Sequence, residues 1–268
     1  MKSNDICFSI VGGGVMAEAI LSRLLVEQVF AADTILVSEP RAERREFLAQ
    51  KYKVRVTADN QTAVADTEIL LLAIKPQILS KVVADLTPNS ESTVISILAG
   101  VTIDRLEQAF PKQPVIRVMP NTPATVGAGM TAIAPGTHAK PEHIEQAKSI
   151  FTAVGEVVEV SESAMDAVTG LSGSGPAFVA LAIEALADGG VASGLPRAIA
   201  LKLATQTVLG TATLVKETGL HPGMLKDRVT SPGGTTIAGV AKLESAGFRS
   251  ALIEAVKTAT ARSKELGQ

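Results

Sequence analysis

The chain has 268 residues, 46% hydrophobic and 19% charged, which is enough apolar material for one large domain or two ordinary ones and too much for a disordered chain. A formal net charge of -2 without any Lys/Arg cluster argues against a nucleic-acid partner and in favour of small molecules. The single cysteine, Cys7, excludes a disulfide framework and reads as a core thiol inside the first strand. The opening "MKSNDICFSIVGGG" lacks a small-residue cleavage site and runs straight into a glycine turn, so it predicts a strand, not a signal peptide, and a cytoplasmic protein.

From Ile6 to about Val160, short β-rich runs alternate with helical patterns: "ICFSIV", "TILVS", "VRV", "EILLLAI", "TVISIL", "VIRVM", "MTAIA" and "EVVEV". That alternation predicts a parallel sheet covered by helices. From Ser161 onward the β-runs stop, and Ala-rich helical stretches such as "GPAFVALAIEALADGGVASGL" and "PRAIALKLATQTVLGTATLVKETG" take over. The fold class is therefore an α/β, Rossmann-like N-terminal domain, residues 1–161, followed by an all-α domain, residues 162–268.

Gly12, Gly14 and Ala17 match G-x-G-x-x-A directly after the first strand and at the opening of a helix from Val15 to about Val29. Gly12 permits the tight turn, Gly14 lets a pyrophosphate approach, and Ala17 lets helix and strand pack. The second strand ends "LVSEPR", with Glu39 about 25 residues past Gly14, near the spacing of an acidic ribose ligand. Ser38 and Arg41 bracket it. Arg41 suits a 2′-phosphate whereas Glu39 repels one, so the pair leaves NADPH against NADH open. "LLAIKP" ends the fourth strand with Lys75 and Pro76, at the sheet edge where ligands of such folds bind.

The helical half carries a second glycine turn, "TSPGGTTIAGV", Thr230 to Val240. Pro232 and the glycines at 233 and 234 preclude a regular helix before about Thr235, while Thr235 and Thr236 are placed to cap the helix that begins there. Exposed N–H groups ringed by hydroxyls make an anion nest. With no Walker lysine, it suits a carboxylate better than a nucleotide phosphate; a capped helix start of purely structural purpose is the competing reading. In "GPAFVALAIEALADGGVASGL" the only charges, Glu184 and Asp188, lie one turn apart. Both carboxylates argue against a membrane span and for a helix covered by protein.

"LKDRVTSPGGTTIAGVAKLE", "AIKP", "MPNTPATVGAGMT", "GLSGSGPAFVALAIEALADGGV" and "GFRSALIEAV" together resemble the motifs of pyrroline-5-carboxylate reductases, in order and along essentially the whole chain. The resemblance implies reduction of the C=N bond of L-1-pyrroline-5-carboxylate to L-proline with NADPH, slightly favoured, or NADH. By the family's pattern, Gly12, Gly13, Gly14, Val15 and Met16 would hold the pyrophosphate. Asn60 would touch the adenosine ribose beside Ser38, Glu39 and Arg41; Ala73, Ile74, Lys75, Pro76 and Ala99 would line the nicotinamide side; and Asn121 would help close the pocket. Val229, Ser231, Gly233, Gly234, Thr235 and Thr236, with Pro176 at a helix start, would hold the substrate. Thr236 would reach the ring nitrogen as the catalytic contact. Glu39 departs from the neutral residue common in relatives.

The resemblance also implies a homodimer through the helical domain, with possible further assembly to a decamer, and neither a metal nor a membrane or nucleic-acid partner. His138, His143 and His221 read as solvated or structural, and no catalytic triad is visible. Two alternatives keep a place beside this reading: a β-hydroxyacid dehydrogenase-like enzyme with Lys202 as its lysine, and a non-enzymatic nicotinamide-nucleotide sensor.

Overall fold

Eight strands form where the apolar runs lie: β1 Phe8–Val11, β2 Ile35–Ser38, β3 Arg55–Thr57, β4 Ile69–Leu72, β5 Thr93–Ser96, β6 Val115–Met119, β7 Gly129–Pro135 and β8 Gly155–Glu159. The computed structural model describes residues 6–65, 67–84 and 86–267. Between the strands lie α1 Val15–Val26, α2 Ala42–Tyr52, α3 Asn60–Val64, α4 Leu79–Val83, α5 Ile103–Ala109 and α6 Pro141–Thr152. After them come α7 Met165–Val168, α8 Gly175–Ala192, α9 Arg197–Thr218, α10 Pro222–Arg228, α11 Thr235–Ser245 and α12 Phe248–Gly267.

The strands join one sheet in the order β3-β2-β1-β4-β5-β6-β7-β8. Central strands are buried on both faces, which is why they read as unbroken apolar runs. Alternate side chains feed two cores: Phe8, Ile10, Ile69 and Leu71 pack on one face with Ile20, Leu24 and Phe151. Val11, Leu70 and Leu72 pack on the other with Leu106 and Phe110.

The all-parallel expectation fails at β7, which runs antiparallel to β6, while β8 is parallel to β7. The linking stretch Pro120–Ala128 is too short for the helical crossover that a parallel neighbour needs. Gly127, at φ +74°, ends its 3-10 turn and turns the chain back. Cys7 precedes β1 and is half-buried, so it is not the core thiol expected of it.

The chain divides into two compact units between Ser174 and Gly175, past the 161/162 boundary drawn where the β-runs stop. The segment from Thr258 onward, the second half of α12, belongs to the sheet unit. There Ser263 donates to the Asp166 carboxylate at 2.7 Å, just after β8's connection into α7. Within the helical unit, α8 and α9 approach closely because small residues meet at their centre: Ala187, Ala200 and Ala204 are buried there, flanked by Ile183 and Val191, and a Cβ on Gly190 would lie 3.1 Å from that of Ala200.

In the sheet unit Arg117 of β6 is 5% exposed and pairs with Glu162 at 3.2 Å, whose same oxygen also accepts the Ile103 N–H at the start of α5. One carboxylate thus ties three segments together. Removing it strands a buried guanidinium, so Glu162→Ala is expected to cost about 3 kcal/mol, the low end for a broken buried pair because Glu162 is partly exposed. Urea unfolding at fixed protomer concentration checks this, and an unchanged midpoint would refute it.

Candidate functional site

The glycine turn sits at the topological switch point, where β1 lies between β2 and β4 and the order reverses. Gly12 has φ +103°, and a Cβ there would lie 2.6 Å from the Ala73 carbonyl oxygen and 3.1 Å from Ile74 Cγ2, so the turn after β1 and the turn after β4 approach too closely for any side chain between them. The Gly12 N–H donates to Ser38 O at 2.8 Å and the Ala73 N–H to Val11 O at 2.9 Å. Gly14 is the N-cap of α1 without any side-chain cap, nothing crowds its Cβ position, and Val15 is exposed. The first-turn N–H groups therefore face open space, which suits a pyrophosphate.

Both flanks of this turn are held by α2 and its approach. The Gly13 N–H donates to Glu39 Oε2 at 3.1 Å, and Arg44 donates to the Gly13 carbonyl at 2.7 Å and the Gly14 carbonyl at 3.4 Å. Arg44 is steered by Glu18 of α1 at 2.6 Å, which also receives Tyr52 at 2.7 Å and Lys51 at 3.0 Å. Sequence reasoning missed Arg44 and Glu18. Their only trace was a charge in the first turn of each of two helices that flank the turn, Arg44 standing between Glu43 and Arg45.

Ser38, buried at the end of β2, donates to Asn60 Oδ1 at 2.6 Å, so these two expected ribose neighbours lie side by side. Asn60 opens α3, where Asp59 caps by accepting from the Gln61 and Thr62 N–H groups. Lys75 is exposed and stands before the 3-10 turn Pro76–Ile78, next to Ala73 and Ile74 at the mouth of the sheet. Ala99 is exposed in the turn after β5. Asn121 is buried and already occupied: its amide donates to Ser172 and its oxygen accepts the Met130 N–H at 2.9 Å.

In the helical unit, Gly233 has φ +65° and Gly234 is the N-cap of α11. No side chain caps that helix, so the expectation that Thr235 and Thr236 cap it is corrected; they are its first two residues, and a cap must precede the turn. The N–H groups at this helix start have no side-chain acceptor, Ser231 folds back so that its carbonyl accepts the Gly234 N–H at 3.1 Å, and Thr236 is half-buried. Val229 is exposed and Pro176 is the second residue of α8. His143 and His221 accept backbone N–H groups of Lys140 and Gly223, structural duties both. Lys202 is exposed on α9.

Residues 162–266 match the family of pyrroline-5-carboxylate reductase dimerisation domains, and residues 7–100 match the NADP oxidoreductases described as coenzyme F420-dependent. A pyrroline-5-carboxylate reductase from Synechocystis is 62% identical over 98% of this chain and 99% of its own. The chain belongs to the pyrroline-5-carboxylate reductase family. The Arabidopsis thaliana reductase is 44% identical over 96% of this chain and 94% of its own. The crystal structure of the Plasmodium falciparum enzyme, with NADP bound, superposes at a TM-score of 0.90 with 30% identity, covering 99% of each chain. This reductase accordingly reduces pyrroline-5-carboxylate to proline with a nicotinamide cofactor, and the dehydrogenase and sensor alternatives fall away.

Burial pushes the Glu18 carboxyl up, but hydrogen bonds from Tyr52, Arg44 and Lys51 outweigh it and bring it down to about 2. A carboxyl held below its unfolded value stabilises above that value and loses its contribution as pH falls toward the folded one. Glu18→Gln is therefore expected to melt below the parent at pH 7, with the gap closing between about pH 4.5 and about 2. Thermal unfolding across that range checks it; a pH-independent gap would refute the ionic role.

Proposed function

We propose that the two bare helix starts divide the ligands between them: Gly12 to Met16 at α1 hold the cofactor pyrophosphate, and Ser231 to Thr236 at α11 hold the substrate carboxylate. The uncapped N-termini carry this reading, since each offers unpaired N–H groups and the positive end of a helix dipole to an anion. The NADP in the Plasmodium relative supports the first assignment. Ser38, Glu39, Arg41 and Asn60 surround the ribose, and Ala73, Ile74, Lys75, Pro76, Ala99 and Asn121 border the nicotinamide. Val229, Gly233, Gly234, Thr235 and Pro176 complete the substrate side. Among these, Asn121 acts by shaping the turn before β7, because its own polar atoms are spoken for.

The cofactor, when bound, supplies the hydride. The chain's own work is placement: carboxylate N–H contacts fix one end of the imine, and the Thr236 hydroxyl orients the ring nitrogen, so proximity is the main source of rate. The solution form is a homodimer, or a multiple of it up to a decamer, built through residues 162–268, in the cytoplasm. Support comes from the dimerisation-family match and from the unpaired apolar faces of the helical unit. Leu181, Leu186, Ile199, Leu203 and Leu209 of α8 and α9 are all more than half exposed in one copy. The helical stretch Glu162–Ala192, which includes α8, and α9 are long and apolar enough to cross a membrane, yet Glu184 and Asp188 on α8 make a protein cover the cheaper one. Light scattering should find no folded species of 27.7 kDa; a stable monomer would sink the dimer.

Thr236→Ala removes one hydrogen bond to a polar or charged partner, so kcat/KM is expected to fall about 10- to 150-fold. Cofactor affinity should be unchanged. Steady-state kinetics beside calorimetric NADPH binding checks both, and parental kcat and KM in the variant would mean that this loop holds no substrate.

A further inference from the structure

We propose that Glu39 is a positioning residue that holds Arg41 as the reader of the cofactor's 2′-phosphate, making this reductase select NADPH over NADH. An acidic side chain after the second strand of such a domain ordinarily faces the ribose hydroxyls and repels a phosphate there. Glu39 instead turns inward: it is 5% exposed, Oε2 accepts the Gly13 N–H at 3.1 Å, and Oε1 accepts both the Arg41 N–H at 3.1 Å and its Nε–H at 2.9 Å. Three donors and one cation neutralise the carboxylate from inside the chain. Although burial pushes it up, the bonds from Arg41 and Gly13 outweigh that and keep it below the usual carboxylate range, hence charged and paired.

The same pair fixes the guanidinium by its Nε edge. The two Nη groups, left without a partner among the described residues, project from a side chain that is 70% exposed. A planar fork anchored on one edge is preorganised for a phosphate on the other. The neighbouring arginines do not compete for that duty. Arg44 is spent on the glycine-turn carbonyls and Glu18, and Arg45 gives its Nη1 to the carbonyls of Glu39 and Pro40 at 2.8 and 2.7 Å. Arg41 is also the N-cap residue of α2, so the positive end of that helix lies beside it.

The proposal rests on the cofactor assignment of the glycine turn, and calorimetric titration of the full-length enzyme with NADPH and with NADH, without substrate, separates the two. The parent should bind NADPH at least 10-fold more tightly than NADH. Arg41→Ala should weaken NADPH about 10- to 100-fold and shift NADH by less than two-fold. Glu39→Gln, nearly the same shape, decides the role of the acid: loosening Arg41 lowers the NADPH/NADH affinity ratio, whereas relief of a repulsion raises it. A raised ratio in Glu39→Gln, or equal losses for both cofactors in Arg41→Ala, overturns the proposal. Loss of both cofactors on Gly14→Val with the parental ratio elsewhere confirms the glycine-turn reading independently, and binding unaffected by Gly14→Val refutes that reading.

Discussion

Gly12 and the Ala73 carbonyl lie so close that no side chain fits between them, and the rest of the sheet unit's site is arranged around that contact. It welds the turns after β1 and β4 at the switch point, leaving the glycine turn no freedom to collapse into the cleft in front of it. The remaining freedom is removed from the other side. Glu39 takes the Gly13 N–H and Arg44 takes the Gly13 and Gly14 carbonyls, so the peptide groups that do not face a ligand are satisfied by side chains of the next β-α unit. The N–H groups at the start of α1 have no side-chain cap to take them. A loop fixed in this way loses little further entropy when an anion arrives.

The same arrangement explains which parts of the protein were legible in its sequence. The central strands could be read because strands covered on both faces must be continuously apolar, and "ILLL" or "VIRV" have few other uses, while the edge strands β3 and β8 showed only through their β-branched residues. Strand direction could not be read: periodicity is the same for a parallel and an antiparallel neighbour, so the reversal at β7 followed only from the brevity of Pro120–Ala128. The glycine turns were visible through their residue types. The orientation of Glu39 was not, because it depends on a peptide N–H twenty-six positions away that has no side-chain signature. Arg44 was hidden for the same reason, its targets being carbonyl groups common to every residue.

Misread features of the helical half have a physical cause too. A threonine next to a glycine turn looks like a cap, but capping needs the hydroxyl before the first helical residue, and Gly234 holds that position. The consequence is functional. A Ser or Asp at 234 would satisfy the orphan N–H groups internally, and a Cβ there would clash with Ser231 Oγ. Glycine keeps the helix start both open and unoccupied by its own chain.

The chemistry explains the absence of an acid–base constellation around these turns. A cyclic imine accepts hydride readily once its nitrogen is protonated and its carbon is placed, so the protein gains most from rigidity and least from a perturbed titratable group. Charged side chains around the glycine turn accordingly hold structure in place: Arg44 and Glu39 bond its backbone, and Glu18 steers Arg44. In the helical unit the same economy takes another form: small residues let α8 and α9 meet closely, while apolar flanks such as Leu181, Leu186 and Leu203 stay more than half exposed in one copy. Close internal packing by alanine and glycine and dependence on a second copy are thus one property of that sequence, since residues too small to reach outward cannot shield the large ones beside them.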